Sequence, residues 1–265
     1  MPMDRAIDYV MSQMGMDLAA YLGVVVRIGA MMLFMPLLGS GRIPRRVKGM
    51  LALVMAVGMA GAVPQPVLMP PSIWELSVAL GGEILFGLAM GMTMAFVFIA
   101  AQWAGELIGQ QMGFNLSEVF DPQFGQASSL VGELYFMLTL VVFILIDGHH
   151  AMLRGVYASL QSMPLLSVGV ERSGLDLIVA MFRGATELAM RLAGPMLITM
   201  LIVDFALGCL SKTMPQFNLM SAGLSIRSLV GLIVLIVGMV LTMRVVQSAH
   251  HDAMEGVSSA YSAAP

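Results

Sequence analysis

Arg183, Glu187 and Arg191 recur at every fourth position inside a long apolar run, and Arg27, Glu83, Glu106 and Asp204 lie in or beside others. Side chains four apart on a helix touch, so the first three form one charged ladder. Two chemistries fit such a ladder: a proton or ion relay, or an ion-pair array that neutralises itself. A carboxylate flanked by two cations favours the array. Either way these groups must avoid lipid, because a charge at the bilayer centre costs at least ~2.5–3.5 kcal/mol. They pair, line a wet cavity, or are surrounded by other protein.

Histidine offers little metal chemistry. His149 and His150 adjoin Asp147, but adjacent histidines on a helix are expected to point to different sides and chelate poorly. The other pair, His250 and His251, falls in the C-terminal tail, so no zinc-ligand spacing emerges. No G-x-S-x-G elbow, P-loop or H-E-x-x-H occurs. The expectation is a protein without catalytic residues, metal or cofactor. The single cysteine, Cys209, cannot form an intramolecular disulfide.

The stretch with the most unusual chemistry is Gly105 to Gln126, GELIGQQMGFNLSEVFDPQFGQ. It mixes glycine and side-chain amides with Phe114, Phe120 and Phe124 and closes on Asp121-Pro122. Non-helical backbone at membrane depth is tolerated only inside protein or along a wet cavity. An interior loop with such aromatic tips could obstruct the cavity, since apolar side chains can close a narrow pore by dewetting it. An ordinary surface loop with chance aromatics explains the same pattern.

The elements that must position these groups are apolar helices. Of the 265 residues, 58% are hydrophobic and only 11% charged. Soluble domains carry about 25% charged residues. The mean hydropathy of +0.89 agrees. A net charge of −3 with scattered cations argues against nucleic-acid binding. About six apolar segments are expected, near residues 18–38, 49–63, 76–101, 134–146, 177–210 and 229–243. A polar or amphipathic lead-in (1–16), a polar, glycine-bearing stretch (102–129), a mixed loop (147–176) and a small, polar, poorly ordered tail (247–265) complete a single all-α membrane domain over 1–265. The fifth segment would be ~51 Å long as a straight helix, more than the ~30 Å hydrocarbon core, so Gly194-Pro195 is expected to kink or break it. Small residues spaced by four, at Gly87 and Gly91 and at Gly105, Gly109 and Gly113, suggest close helix contacts.

Four blocks carry a family resemblance: Arg27 with Phe34-Met35-Pro36, Gly39, Ile43-Pro44 and Lys48; Ala104-Gly105-Glu106, Gly109, Gln111-Met112-Gly113-Phe114 and Asp121-Pro122; Asp147-Gly148-His149 with Ser159 and Pro164; and Leu207-Gly208, Lys212, Met214-Pro215-Gln216, Asn218 and Gly223. Their order and spacing over most of the chain resemble the FliR family of type III export-gate subunits. The injectisome counterpart, the SctT family, usually bears more Asp and Arg where this chain has Gln111-Met112-Gly113, which favours the flagellar branch.

The resemblance implies a non-enzymatic channel subunit in the bacterial inner membrane at the flagellar basal body. It implies assembly with FliP, FliQ and FlhB-like subunits around the entry pore for unfolded flagellar proteins, with much of the complex drawn out of the membrane plane. It also implies a lumenal loop over about 105–129 whose plug spans Gly113 to Pro122, with Gly113, Phe114, Leu116, Val119, Phe120, Asp121 and Pro122 as the candidate gating residues, although Leu116 and Val119 stand where bulky aromatics are the family pattern. The basic turn Arg42 to Lys48 argues for a cytoplasmic loop, which with six spans puts both termini outside; the resemblance implies a cytoplasmic C-terminus instead. The competing readings are an injectisome gate subunit, and a stand-alone transporter or channel using Glu83, Glu187 or Asp204. No internal repeat of the kind transporters show is visible, and an intramembrane hydrolase lacks a nucleophile and base.

Overall fold

The computed structural model describes residues 3–36, 44–61, 63, 67, 72–114, 129–162, 165–166, 173–213 and 219–262, and these contain helices and no strand. The helices are α1 (Met3–Phe34), α2 (Arg45–Ala60), α3 (Ile73–Met112), α4 (Leu130–Leu145), α5 (Gly148–Ser162), α6 (Ser173–Thr213) and α7 (Leu219–Ser262). Three are long and apolar enough to cross a membrane: α3, α6 over Met181–Thr213, and α7 over Gly223–Glu255. The apolar part of α1 is shorter, Leu18–Phe34.

Local sequence sets the helix ends. Pro44 stands at the N-cap of α2, where a missing N–H costs nothing, and its carbonyl accepts from Val47 N and Lys48 N. Ser72 Oγ accepts from Glu75 N at the start of α3, and Ser129 Oγ accepts from Gly132 N at the start of α4. Between α4 and α5 the chain turns at Asp147, whose φ of 55° is left-handed.

Several expectations are corrected. The mixed loop over 147–176 contains a helix, α5, whose buried residues Met152, Val156, Ser159 and Leu160 make one stripe. The polar stretch expected from 102 is still helix as far as Met112, so Glu106 belongs to α3 and not to a loop. The tail expected from 247 continues α7 to Ser262. Of the kink or break expected at Gly194-Pro195, the break is absent: α6 runs through Pro195 as one helix. A proline inside a membrane helix is tolerated where its surroundings satisfy the freed carbonyl.

The chain divides into two compact units. The first comprises Met1–Ala95, Asp147–Val179 and Asp252–Pro265; the second comprises Phe96–Ile146 and Ala180–His251. In the first, α1 and the N-terminal half of α3 pack backbone to backbone. A Cβ added at Gly87 would lie 2.2 Å from the Arg27 carbonyl oxygen, and one at Gly91 would lie 2.5 Å from that of Met31. Both glycines therefore admit the partner helix where no side chain fits. Because Arg27 and Met31 follow Gly87 and Gly91 in the same order, the two helices run parallel.

In the second unit α3 meets α4 in the same way, with Gly105 against Val131 and Gly132. Phe98 of α3 stands at the centre of an aromatic cluster with Phe136, Phe143 and His250, each ring centroid 5.6 Å away. Gly231 of α7 is wrapped by Met112, Met196 and Met200. These methionines are buried, and their unbranched chains fill the irregular space a glycine leaves.

Candidate functional site

The exit of α3 is built with care. Gly113 has φ 79°, its N–H donates to Gln110 O at 3.0 Å, and Phe114 N donates to Gly109 O at 3.1 Å. This double bond pattern is the Schellman stop, which needs a left-handed residue that only glycine adopts freely. Met112 behind it is buried, and its carbonyl accepts from Ser228 Oγ of α7 at 3.0 Å. The chain thus leaves α3 along a fixed direction, with Phe114 exposed at the start of the departing segment. The remaining candidate gating residues, Leu116, Val119, Phe120, Asp121 and Pro122, lie outside the described residues.

Of the candidate buried charges, Arg27 and Glu83 are brought together out of contact with solvent. Arg27 and Glu83 are both fully buried and form a two-pronged pair, Nε to Oε2 at 2.6 Å and Nη2 to Oε1 at 3.1 Å. Arg27 Nη1 also donates to the carbonyl and hydroxyl oxygens of Ser159, both at 3.2 Å. Leu166 N donates to Glu83 Oε1 at 2.9 Å, and the guanidinium lies 4.6 Å from the centroid of the Phe86 ring. The fork geometry and the extra partners are what an ion pair needs to survive desolvation.

The α6 charges behave differently. Glu187 Oε1 accepts from Arg191 Nη2 at 2.6 Å, but both side chains are more than half exposed, and Arg183 is exposed as well. The ladder is not covered within this chain. Asp204 pairs with Arg227 of α7 at 2.7 Å, half-exposed; Arg227 had not been singled out from the sequence. Glu106 is half-buried, its Cγ packed against Gly132.

His149 and His150 do not diverge as expected. Their rings lie 4.2 Å apart, and one ligand atom from each of Asp147, His149 and His150 falls within 4.8 Å of the others. Yet His150 Nδ1 already lies 3.3 Å from Asp147 Oδ1 and both are exposed, so this is an open surface group, not a formed coordination cage. His250, expected in a loose tail, is instead fully buried, its Nδ1–H donating to Val246 O at 2.8 Å.

Long apolar helices, a charged pair sealed within helices, and large apolar faces left uncovered define an all-α membrane-embedded protein. The chain belongs to the bacterial export proteins, family 1, whose family model matches residues 18–253. It is 30% identical over 233 residues to the flagellar biosynthetic protein FliR of Bacillus subtilis, covering 86% of this chain and 89% of that protein. Over 215 residues it is 27% identical to FliR of Escherichia coli, covering 80% and 81%. It is also 27% identical over 218 residues to the surface presentation of antigens protein SpaR of Shigella flexneri, covering 81% and 83%.

Proposed function

We propose that this protein is a non-enzymatic channel subunit of the flagellar type III export gate. It acts in the bacterial inner membrane at the flagellar basal body. Together with FliP- and FliQ-like subunits and an FlhB-like partner it forms the entry pore for unfolded flagellar proteins. The observation that carries this reading is the family match across residues 18–253, with FliR relatives spanning four-fifths or more of their own length. The exposed apolar faces of α6 and α7 fit a subunit that other chains or lipid must cover.

Within the pore, the segment that starts at Gly113 is the resting plug. Its support is the fixed stop at the end of α3, which launches Phe114 in a set direction. A pore wide enough for an unfolded chain would dissipate the proton gradient unless something apolar closed it. Replacing Phe114 and Phe120 together with glycine is expected to raise dye or ion leak in cells while secretion persists in part. Assembled complexes that stay as tight as wild type without residues 113–122 would show that the segment is a packing loop.

Deleting the gene tests the wider reading. Loss of flagellar filaments and swimming, with growth intact, is the expected result. The match to SpaR favours one second reading, an injectisome gate subunit. A deletion strain that swims but no longer secretes virulence-type proteins would establish it.

A further inference from the structure

α1 and α3 differ in how well each stands alone. α3 is a full-length apolar span, whereas the apolar part of α1 is only Leu18–Phe34 and carries Arg27 near its middle. An unpaired guanidinium there would be a charge with no water and no counter-ion. In the folded chain all of its described contacts come from elsewhere in the first unit: Glu83 and Phe86 of α3, and Ser159 of α5.

The level at which the pair forms is fixed by backbone. Gly87 sits beneath the carbonyl of Arg27, and Gly91, one turn on, beneath that of Met31. A slip of one turn would set Arg27 away from Glu83 and bring Glu83 or Ala95 into one of the two close approaches. A second segment then uses the completed pair. Leu165 is buried against Gly23 of α1, where a Cβ would lie 3.2 Å from its Cδ2, and the neighbouring Leu166 N–H ends on Glu83 Oε1 at 2.9 Å. Leu166 itself is held in the left-handed region, φ 61°.

We propose that Glu83 organises the first unit through two contacts: it holds α1 in a single register by pairing with Arg27, and the carboxylate oxygen that the pair positions caps the Leu165–Leu166 turn.

The test uses the full-length chain in membranes, with Cys209→Ser and one reporter cysteine at either Ala20 or Leu165, both buried. The readout is the rate of maleimide labelling. R27M alone or E83M alone strands the opposite charge, so labelling of the Ala20→Cys reporter should accelerate on the order of a hundredfold or more. R27M/E83M removes both charges and should bring that reporter back near the wild-type rate, since apolar residues of similar volume replace buried pairs at little cost. The Leu165→Cys reporter should stay fast in R27M/E83M, because Leu166 N–H has lost its acceptor. R27M/E83Q keeps a carbonyl oxygen at that position and should slow both reporters. Wild-type labelling in the single variants, or a double variant no better protected than the singles, would overturn the pairing step. Equal Leu165→Cys rates in R27M/E83M and R27M/E83Q would overturn the capping step.

Discussion

At Gly87 an added methyl meets a backbone oxygen at 2.2 Å, while at Gly231 it meets Met112, Met196 and Met200, mostly at their flexible ends, and at Gly58 it meets nothing within 4 Å. The same substitution should therefore have three outcomes. Gly87→Ala should destabilise the chain by about 1–3 kcal/mol, as overpacking does when no side chain can move aside. Gly231→Ala should cost clearly less, because methionine chains rearrange. Gly58→Ala should be neutral or stabilising by up to about 1 kcal/mol, since alanine favours helix over glycine. Thermal unfolding of the detergent-solubilised protein ranks the three. The spacings of Gly87 with Gly91, and of Gly105 with Gly109 and Gly113, were legible in the sequence as small residues about one turn apart. What the sequence did not disclose is which of 28 glycines meets a neighbour, because every fourth residue shares a face whether or not a helix lies against it. Glu83 and Arg27 were legible as charges that must pair, line a wet cavity or be surrounded by other protein. Their partnership was not, because 56 residues and a whole helix separate them.

The charges of α6 pose the question at the scale of one helix. Glu187 and Arg191 are paired but exposed, and an exposed i,i+4 pair contributes only about 0.3–0.5 kcal/mol. Glu187→Ala and Glu187→Gln should thus leave the stability of the isolated chain within about 0.5 kcal/mol of wild type. The same helix presents Ile198, Leu201, Ile202 and Phe205 uncovered. If partner subunits cover this face, the alanine variant should lower their pull-down yield more than the glutamine variant, which can still accept a hydrogen bond from Arg191. Equal wild-type yields would place the pair outside the interface. α5 shows why helices were harder to read than spans. Its buried positions Met152, Val156, Ser159 and Leu160 have helical spacing, but two glycines, two histidines and an arginine among its 15 residues hide it from a search for long apolar runs. The extension of α7 past 247 escaped for the same reason, since small polar residues continue a helix without announcing it.

Helix length constrains the whole molecule. α3, α6 and α7 have 40, 41 and 44 residues, which at 1.5 Å per residue makes each about 60 Å or more. That is about twice the ~30 Å hydrocarbon core, so a large part of each helix lies beyond the bilayer interior if it stands upright. Only 17% of the apolar window of α7 is buried by the chain itself, against 44% for α3. The expected consequence is that the protein extracted alone requires detergent and aggregates when it is removed, while co-expression with export-gate subunits restores a monodisperse complex. Size-exclusion profiles of the two preparations check this. That the chain was a helical membrane protein was legible from its composition. Its division into two compact units was not, because three of the four boundaries fall within the uninterrupted helices α3, α6 and α7.

The methionines around Gly231 make the second unit sensitive to oxidants. A sulfoxide is polar and bulkier than a thioether, so it cannot occupy the space Met112, Met196 and Met200 now fill without forcing helices apart. While the packing holds, these buried sulfurs are shielded from dissolved peroxide; whenever α7 separates from α3 and α6, they react. Peroxide treatment followed by peptide mass spectrometry should find them oxidised far more slowly than the exposed Met50 and Met190. Any state of the working gate that moves α7 would be recorded as sulfoxide at these positions, a chemical trace that outlasts the motion.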